Sequence, residues 1–372
     1  MSQELLGARE KFWLATLAER ALWRGKPSAS PLFSYKSSLT KALQHRSLFD
    51  APREPESLIE IDAADCDLEA FLELSRGYRR PVVIRGFAAD TIAAQRWDLD
   101  YLNERLAGQS CTALVLDEKT REGDWDHGAP IIRMSFAEYF ERMVDEDIYL
   151  NASSELATAA PALVEEIELD RIGRTFREPG RSWDELVLLN FFIGASRVFS
   201  ALHTAPAGNF FLNITGRKRW MLVDPRYSAL LFPVTKPPFQ YFRSAYGGWR
   251  DSAARGEEGV NILWRVPRYE VVLQPGDLLY NAPWWWHEVN NLDDLTIGCA
   301  VRRIAPPFTP SPTWANQPWM TASSLYPFGR AAASAHYVYQ QLSGDREPLR
   351  DRINALNTKI IRSTLRDQTE AR

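Results

Sequence analysis

The sequence predicts a mainly β domain, a barrel or sandwich, with helices at both ends of the chain. Three observations carry this. From about 186 to 304 the chain breaks into seven short apolar runs separated by turn residues: LVLLNFFIG, RVFSALH, NFFLNITG, KRWMLVDP, YEVVLQPGD, LLYNAP and LTIGCAVRRI. Short strands at such close spacing are the pattern of closed or double-layered β architecture. Residues 8–24 instead repeat at helical spacing, as do 328–342 and 348–367.

Taken in order, the first helix offers Phe12, Leu14, Leu17 and Leu22 as one broad apolar face. Residues 25–56, rich in Ser, Pro and Lys, read as an extended or loop-rich lead-in. SLIEID at 57–62 alternates as a strand does, and CDLEAFLELSRG after it is helical. RPVVIRGF at 80–87 is a β-branched run closed by Gly86, a buried-strand pattern. Residues 97–107 form a helix with Asp98 near its cap, and 111–116 a strand. Ser135 with Glu138 three residues on opens a helix over 135–145, and IYLNA at 148–152 is a strand. The chain thus divides into a helical and loop-rich extension (1–56), a β domain (57–304) interrupted by an aromatic and Pro/Gly-rich insert at 235–267, and a helical tail (305–372). The insert reads equally as a lid or substrate loop and as a solvated excursion. The tail either packs on the barrel or pairs two copies into a homodimer.

Composition narrows the function. With 44 Lys and Arg against 48 Asp and Glu, the net charge is −4 and no long basic run is present, so a nucleic-acid surface is not expected. Three widely spaced cysteines form no CxxC metal site and no disulfide scaffold, so a reducing cytoplasm is expected. The N-terminus lacks a signal-peptide pattern, and no stretch is apolar enough to span a membrane.

The chemistry concentrates on two of five histidines. His45, His127 and His336 read as structural. His203 lies in SALHTAPAGNFFLNITGRKRWMLVDP (200–225), and His287 in LQPGDLLYNAPWWWHEV (273–289). Two neutral imidazoles on different strands can meet across a barrel mouth and bind a divalent metal such as ferrous iron. Trp284 and Trp285 read as pocket lining or barrel filling, with packing favoured for at least one because strand neighbours face opposite ways.

These motifs together resemble the JmjC and cupin-like (cupin-8 type) 2-oxoglutarate oxygenases. The matching residues are His203, Asn209, Gly216-Arg217-Lys218-Arg219-Trp220, Pro275-Gly276-Asp277, Trp286-His287 and the opening segment RPVVIRGF. The resemblance covers about 57–304 and implies a double-stranded β-helix, a jelly-roll barrel, using Fe(II), 2-oxoglutarate and O2. It implies that His203 and His287 bind iron and that Lys218 pairs with the distal carboxylate of 2-oxoglutarate. It further implies that Ser200 assists that carboxylate, that Asn209 orients cosubstrate or ligands, and that Tyr149 is a further cosubstrate contact. Pro275-Gly276-Asp277 reads as a turn.

One position departs from the pattern. The third iron ligand, an Asp two residues after the first histidine, is Ala205 here. In the related halogenases the same replacement leaves a coordination position for chloride, which implies C–H chlorination with Ala205 marking the halide position. The alternatives are an unusual hydroxylase whose coordination is completed by water or another carboxylate, a non-catalytic binder, and a divalent-metal isomerase or lyase. Glu288 is the nearest carboxylate in sequence, but strand alternation turns it away from His287. The substrate reads only as a small or carrier-bound molecule. Lys236, Arg243, Arg250 and Arg255 in the insert suit an anionic group, and its aromatics suit an apolar one.

Overall fold

The structure is a computed structural model. It describes residues 3–23, 26–47, 52–121, 129–153, 155–176, 187–234, 242–252, 260–303 and 315–324. The expected tail helices at 328–342 and 348–367 lie outside these residues.

Eight strands build the barrel: β1 (Val187–Gly194), β2 (Phe199–Thr204), β3 (Gly208–Thr215), β4 (Lys218–Val223), β5 (Tyr269–Leu273), β6 (Leu278–Asn281), β7 (Trp286–Asn291) and β8 (Thr296–Arg303). They form two facing layers, in the orders β5-β4-β7-β2 and β6-β3-β8-β1. All neighbouring pairs within these layers are antiparallel. Strands alternate between layers except at β4–β5, where the 235–267 insert intervenes. This is the jelly-roll double-stranded β-helix expected from the sequence.

Flanking strands extend both layers. Residues Glu56–Ser57 pair with β5, while Phe242–Ser244 and then Pro233–Val234 add to the β2 edge. Val82–Arg85, from RPVVIRGF, pairs with β6, and Ile148–Ser153 pairs with β1. The second layer is covered outside by helices including Leu68–Leu74 and Asp170–Phe176. There Phe71, Phe176, Phe210 and Tyr280 form one aromatic cluster. Each such buried ring contributes about 1.5–3 kcal/mol by transfer from water.

The N-terminal region differs from the sequence reading. Residues Phe33–Ser47 are a helix, not a loop-rich lead-in. The sequence FSYKSSLTKALQHRS has little intrinsic helical bias, but Thr40 and Gln44 bind the carbonyls of Ala229 and Leu230 and Leu43 is buried. Tertiary contact overrides propensity here. In the preceding helix, Gln3–Leu22, the buried side chains are Phe12, Trp13, Ala15, Thr16, Glu19 and Arg20, whereas Leu14 and Leu22 are 56% and 83% exposed. The inward face is partly polar because the buried Lys36 ammonium meets Glu19 at 2.7 Å. Of the apolar stripe expected from spacing, Phe12 is buried and Leu17 half-buried, while Leu14 and Leu22 face out.

Three cysteines, Cys66, Cys111 and Cys299, are buried and free. Among the described residues no helix is long and apolar enough to cross a membrane.

Candidate metal and cosubstrate site

The inward face of the β5-β4-β7-β2 layer is fixed by register. His287 on β7 lies directly opposite His203 on β2 and Leu222 on β4. Val289, two residues along and so on the same face, pairs with Trp220 and Ser200. Three residues separate Ser200 from His203, which would ordinarily put them on opposite faces. A register shift between His287 and Val289 absorbs the extra residue and turns both inward.

The two imidazole rings lie 4.2 Å apart, centre to centre. His203 Nδ1 is 2.8 Å from the Ala201 carbonyl, and His287 Nδ1 is 3.0 Å from the Trp285 carbonyl. Donation from Nδ1–H to these oxygens leaves Nε2 of each ring as the lone-pair nitrogen, the tautomer a metal needs. Burial, reinforced by His287, holds His203 well below the ordinary imidazole range. Burial also pulls His287 down to about 4, so both rings stay neutral near pH 7. Trp220 stacks on His287 at 5.4 Å and fixes its plane.

Lys218 stands at the other end of the same face, opposite Asn291. It is fully buried, and its Nζ donates to Asn291 Oδ1 at 2.6 Å and Thr296 Oγ1 at 2.8 Å. No carboxylate among the described residues forms an ion pair with it. Burial lowers its pKa to about 7. Tyr149, also buried, hydrogen-bonds Ser200 and packs beside Gly194, whose carbonyl accepts the Thr296 hydroxyl at 2.8 Å. Tyr149, Ser200 and Lys218 thus gather at one end, and the histidines at the other.

Asn209 on β3 faces inward from the second layer, paired with Asn281 and Arg302. Its buried Oδ1 has no hydrogen-bond partner among the described residues. Asn281 lies 3.2 Å from His287 Nδ1. Asn281, Asn291, Thr296 and Arg302 were not singled out from sequence. The available signal was register for Asn281, Thr296 and Arg302, each on a strand already identified; Asn291 lies on β7, which the sequence runs did not include.

Ala205 directly follows β2, and its carbonyl accepts the Trp284 N–H at 2.8 Å. Strand alternation returns this position to the His203 side, where the side chain is only a methyl. Glu288 does not replace the missing carboxylate. It lies on the outward face of β7, fully buried, accepting the backbone N–H of Trp249 at 2.6 Å and of Arg250 at 3.2 Å. Among the described residues no group of three or more His, Cys, Asp or Glu is placed to hold a metal.

The three consecutive tryptophans are structural. Trp284 Nε1 donates to Thr321, Trp285 Nε1 to the Arg79 carbonyl and Trp286 Nε1 to Ser228, all away from the imidazoles. The ring beside the site is Trp220. The insert is not a solvated excursion where described, since Phe242, Trp249, Leu263 and Val266 are buried. Pro275-Gly276-Asp277 is a turn, as expected. Gly276 has φ +86°, and Asp277 accepts the N–H of Gly86 and of Gln274.

The residues present suit iron and 2-oxoglutarate. Two neutral imidazoles offer nitrogen ligands, and a buried ammonium without a counter-charge among the described residues suits a distal carboxylate.

A family model described as a cupin-like domain matches residues 69–301. Jumonji C domain-containing protein 5 of Drosophila melanogaster is 27% identical over 205 residues, covering 54% of this chain and 48% of its own length. Lysine-specific demethylase 8 of Xenopus tropicalis is 21% identical, covering 58% of this chain and 46% of its own. The bifunctional arginine demethylase and lysyl-hydroxylase psr-1 of Caenorhabditis briggsae is 24% identical over 291 residues, covering 70% of this chain and 66% of its own. The chain spans about half the length of the first two relatives. With more than half of its length matched by that model, the chain belongs to the cupin-like domain family, the JmjC-related group that includes 2-oxoglutarate-dependent oxygenases.

Proposed function

We propose that the protein is an Fe(II)- and 2-oxoglutarate-dependent oxidoreductase, and that it halogenates an aliphatic C–H bond, with chloride taking the position left open by Ala205. The observation that carries the first part is the pairing of ends: two neutral, Nδ1-anchored imidazoles at one end of the inward face and a buried ammonium lacking a carboxylate at the other. An uncompensated buried cation is costly, and a bound carboxylate offsets that cost. The second part is supported by the methyl of Ala205 and by the outward commitment of Glu288.

His203 and His287 would hold the metal, and Lys218 would hold the distal carboxylate, with Ser200 and Tyr149 beside it. When bound, iron with 2-oxoglutarate and oxygen supplies oxidising power for hydrogen abstraction from carbon. The protein's contribution is placement. Carbonyls of Ala201 and Trp285 fix the imidazole tautomers, Trp220 fixes one ring plane, and Phe211 and Trp220 keep water from the inner wall. The competing reading is hydroxylation, favoured by a relative named as a hydroxylase.

The test is an anaerobic titration of the ferrous protein with 2-oxoglutarate, with and without chloride, following the visible metal-to-ligand charge-transfer band. A band that shifts or tightens with chloride is the expected result, and His203→Ala or His287→Ala is expected to abolish it. A band indifferent to chloride selects hydroxylation. No band with the wild-type protein overturns the cofactor assignment.

A further inference from the structure

One arginine, Arg302, enters the site from the layer that carries neither histidine. On β8 the side chains alternate, and Thr296 faces inward because its hydroxyl meets Lys218 at 2.8 Å. Gly298, Ala300 and Arg302 share that face. The strand opposite agrees: a β-carbon at Gly298 would meet the Phe211 ring, which packs on Trp220 inside the barrel. Arg302 pairs with Asn209, two residues before Phe211 and so on the same face. Asn209 pairs in turn with Asn281, whose amide lies 3.2 Å from His287 Nδ1. Lys218 and Arg302 therefore stand at opposite ends of the barrel interior, with Arg302 at the histidine end.

Among the described residues Arg302 has no ion pair, and burial alone acts on its guanidinium, pulling it down from the ordinary range. The Asn209 amide oxygen opposite is also unpartnered among them. By surface, however, the side chain is only half-buried. A guanidinium deep in the fold yet open to solvent faces a cavity, and here that cavity is the barrel interior. Its charge reaches both imidazoles. A divalent cation brought to His203 and His287 meets this positive charge, and at position 205 a methyl stands where a carboxylate would offset it. A dicarboxylate whose far end is held by Lys218 presents its near end to a planar group with several donors.

We infer that Arg302 holds the metal-side carboxylate of 2-oxoglutarate, and that its charge keeps a divalent metal weakly bound to the two histidines until that carboxylate arrives. This deepens the iron and 2-oxoglutarate reading and rests on it. Lys218 takes the distal carboxylate, and the second carboxylate supplies the negative charge that Ala205 does not. Cosubstrate and metal then bind as a coupled pair, each raising the affinity of the other by the same factor. Removing the Arg302 charge acts on the two in opposite directions. Metal alone binds more tightly, and 2-oxoglutarate without metal binds more weakly. Damage to the fold would weaken both.

The experiment is calorimetry on the full, metal-free chain in chloride-free buffer, with Mn(II), 2-oxoglutarate and 4-oxopentanoate each titrated alone. The last keeps the ketone and the distal carboxylate but has a methyl in place of the metal-side carboxylate. The wild-type protein is expected to bind 2-oxoglutarate at least about tenfold more tightly than 4-oxopentanoate. Arg302→Gln is expected to erase that preference by weakening 2-oxoglutarate, and to tighten Mn(II) by about threefold or more. Arg302→Lys keeps the charge and is expected to leave Mn(II) affinity within about twofold of wild type. Equal binding of the two acids by the wild-type protein overturns the inference, as does failure of 2-oxoglutarate to bind without metal. An Arg302→Gln variant whose Mn(II) affinity does not rise, or whose 2-oxoglutarate affinity does not fall, also overturns it. If Arg302→Gln fails to fold, the wild-type comparison of the two acids and Arg302→Lys carry the test. Binding of 2-oxoglutarate to the Mn(II)-loaded chain that depends on Lys218 but not on Arg302 ends this inference and keeps the cofactor reading. No 2-oxoglutarate binding even with Mn(II) present removes both.

Discussion

At the scale of single residues, the proposed chemistry rests on Lys218 and Ala205. The Lys218 ammonium sits wholly inside the barrel with two neutral hydrogen-bond acceptors, and burial brings its pKa down to about 7. A carboxylate binds the charged form. The charge is present below about 7 and is lost as the pH rises through that value. Affinity for 2-oxoglutarate should therefore be highest below pH 7 and fall above it, by up to about tenfold per pH unit, until the higher pKa of the complex is reached. Calorimetry from pH 6 to 8.5 checks this. An affinity that rises with pH contradicts the assignment. Lys218→Met should weaken 2-oxoglutarate at least tenfold, while Fe(II) still binds the histidines. At position 205, Ala205→Asp returns a carboxylate to the side of His203. Chloride should then no longer perturb the charge-transfer band, and a persisting chloride effect would place the halide elsewhere.

At the scale of elements, the site depends on how neighbouring strands are packed against each other. A β-carbon added at Gly298 on β8 would stand 2.2 Å from the Phe211 ring. Phe211 meets Trp220 edge-on at 4.8 Å, and Trp220 stacks on His287. Gly298→Ala should cost about 1–3 kcal/mol of stability through overpacking. It should also weaken metal binding, because the displacement passes through two rings to the ligand. Thermal unfolding and metal titration together check this. A variant with native metal affinity would show that the ring contacts do not position His287. The edge strand Phe242–Ser244 illustrates a different dependence. Its neighbour helix Trp249–Ser252 is tied to the barrel by Glu288, whose carboxylate accepts two successive backbone N–H groups. Gly248 allows the approach, since a β-carbon there would lie 1.9 Å from Glu288 Oε2.

At the scale of the whole molecule, the N-terminal helices share a core with the barrel. Phe12, Trp13 and Leu43 belong to the same buried cluster as Met221, Val223 and Trp286, on the outward face of the layer that carries both histidines. Phe12→Ala should destabilise the protein by about 3–5 kcal/mol. The loss should appear as one cooperative transition at lower temperature. A separate early transition would show that the helices fold apart from the barrel.

Seven of the eight barrel strands were legible in sequence because strand alternation and turn residues are local properties, written within a few residues of each other; the seven runs did not include Trp286–Asn291. His203 and His287 stood out by their β context, and the roles proposed for them and for Lys218 came from the family resemblance. Ala205 was visible as a single letter. The inward turn of Ser200 required a bulge, which depends on the register of two strands far apart in sequence. Asn281 and Thr296 came beside the histidines and Lys218 only when β6 and β8 found their partners. The helix at Phe33–Ser47 and the polar stripe of Gln3–Leu22 are stabilised by partners almost two hundred residues away or on the next helix, so no local pattern encodes them. The sequence by itself determined a mainly β domain carrying two histidines, and its resemblance to the cupin-like oxygenases implied the jelly roll, the role of Lys218 and the absent carboxylate at Ala205; the burial of Lys218 came from the structure. Tertiary structure alone decided which side chains stand beside the two histidines, because long-range strand pairing, and not local periodicity, decides which side chains share a face.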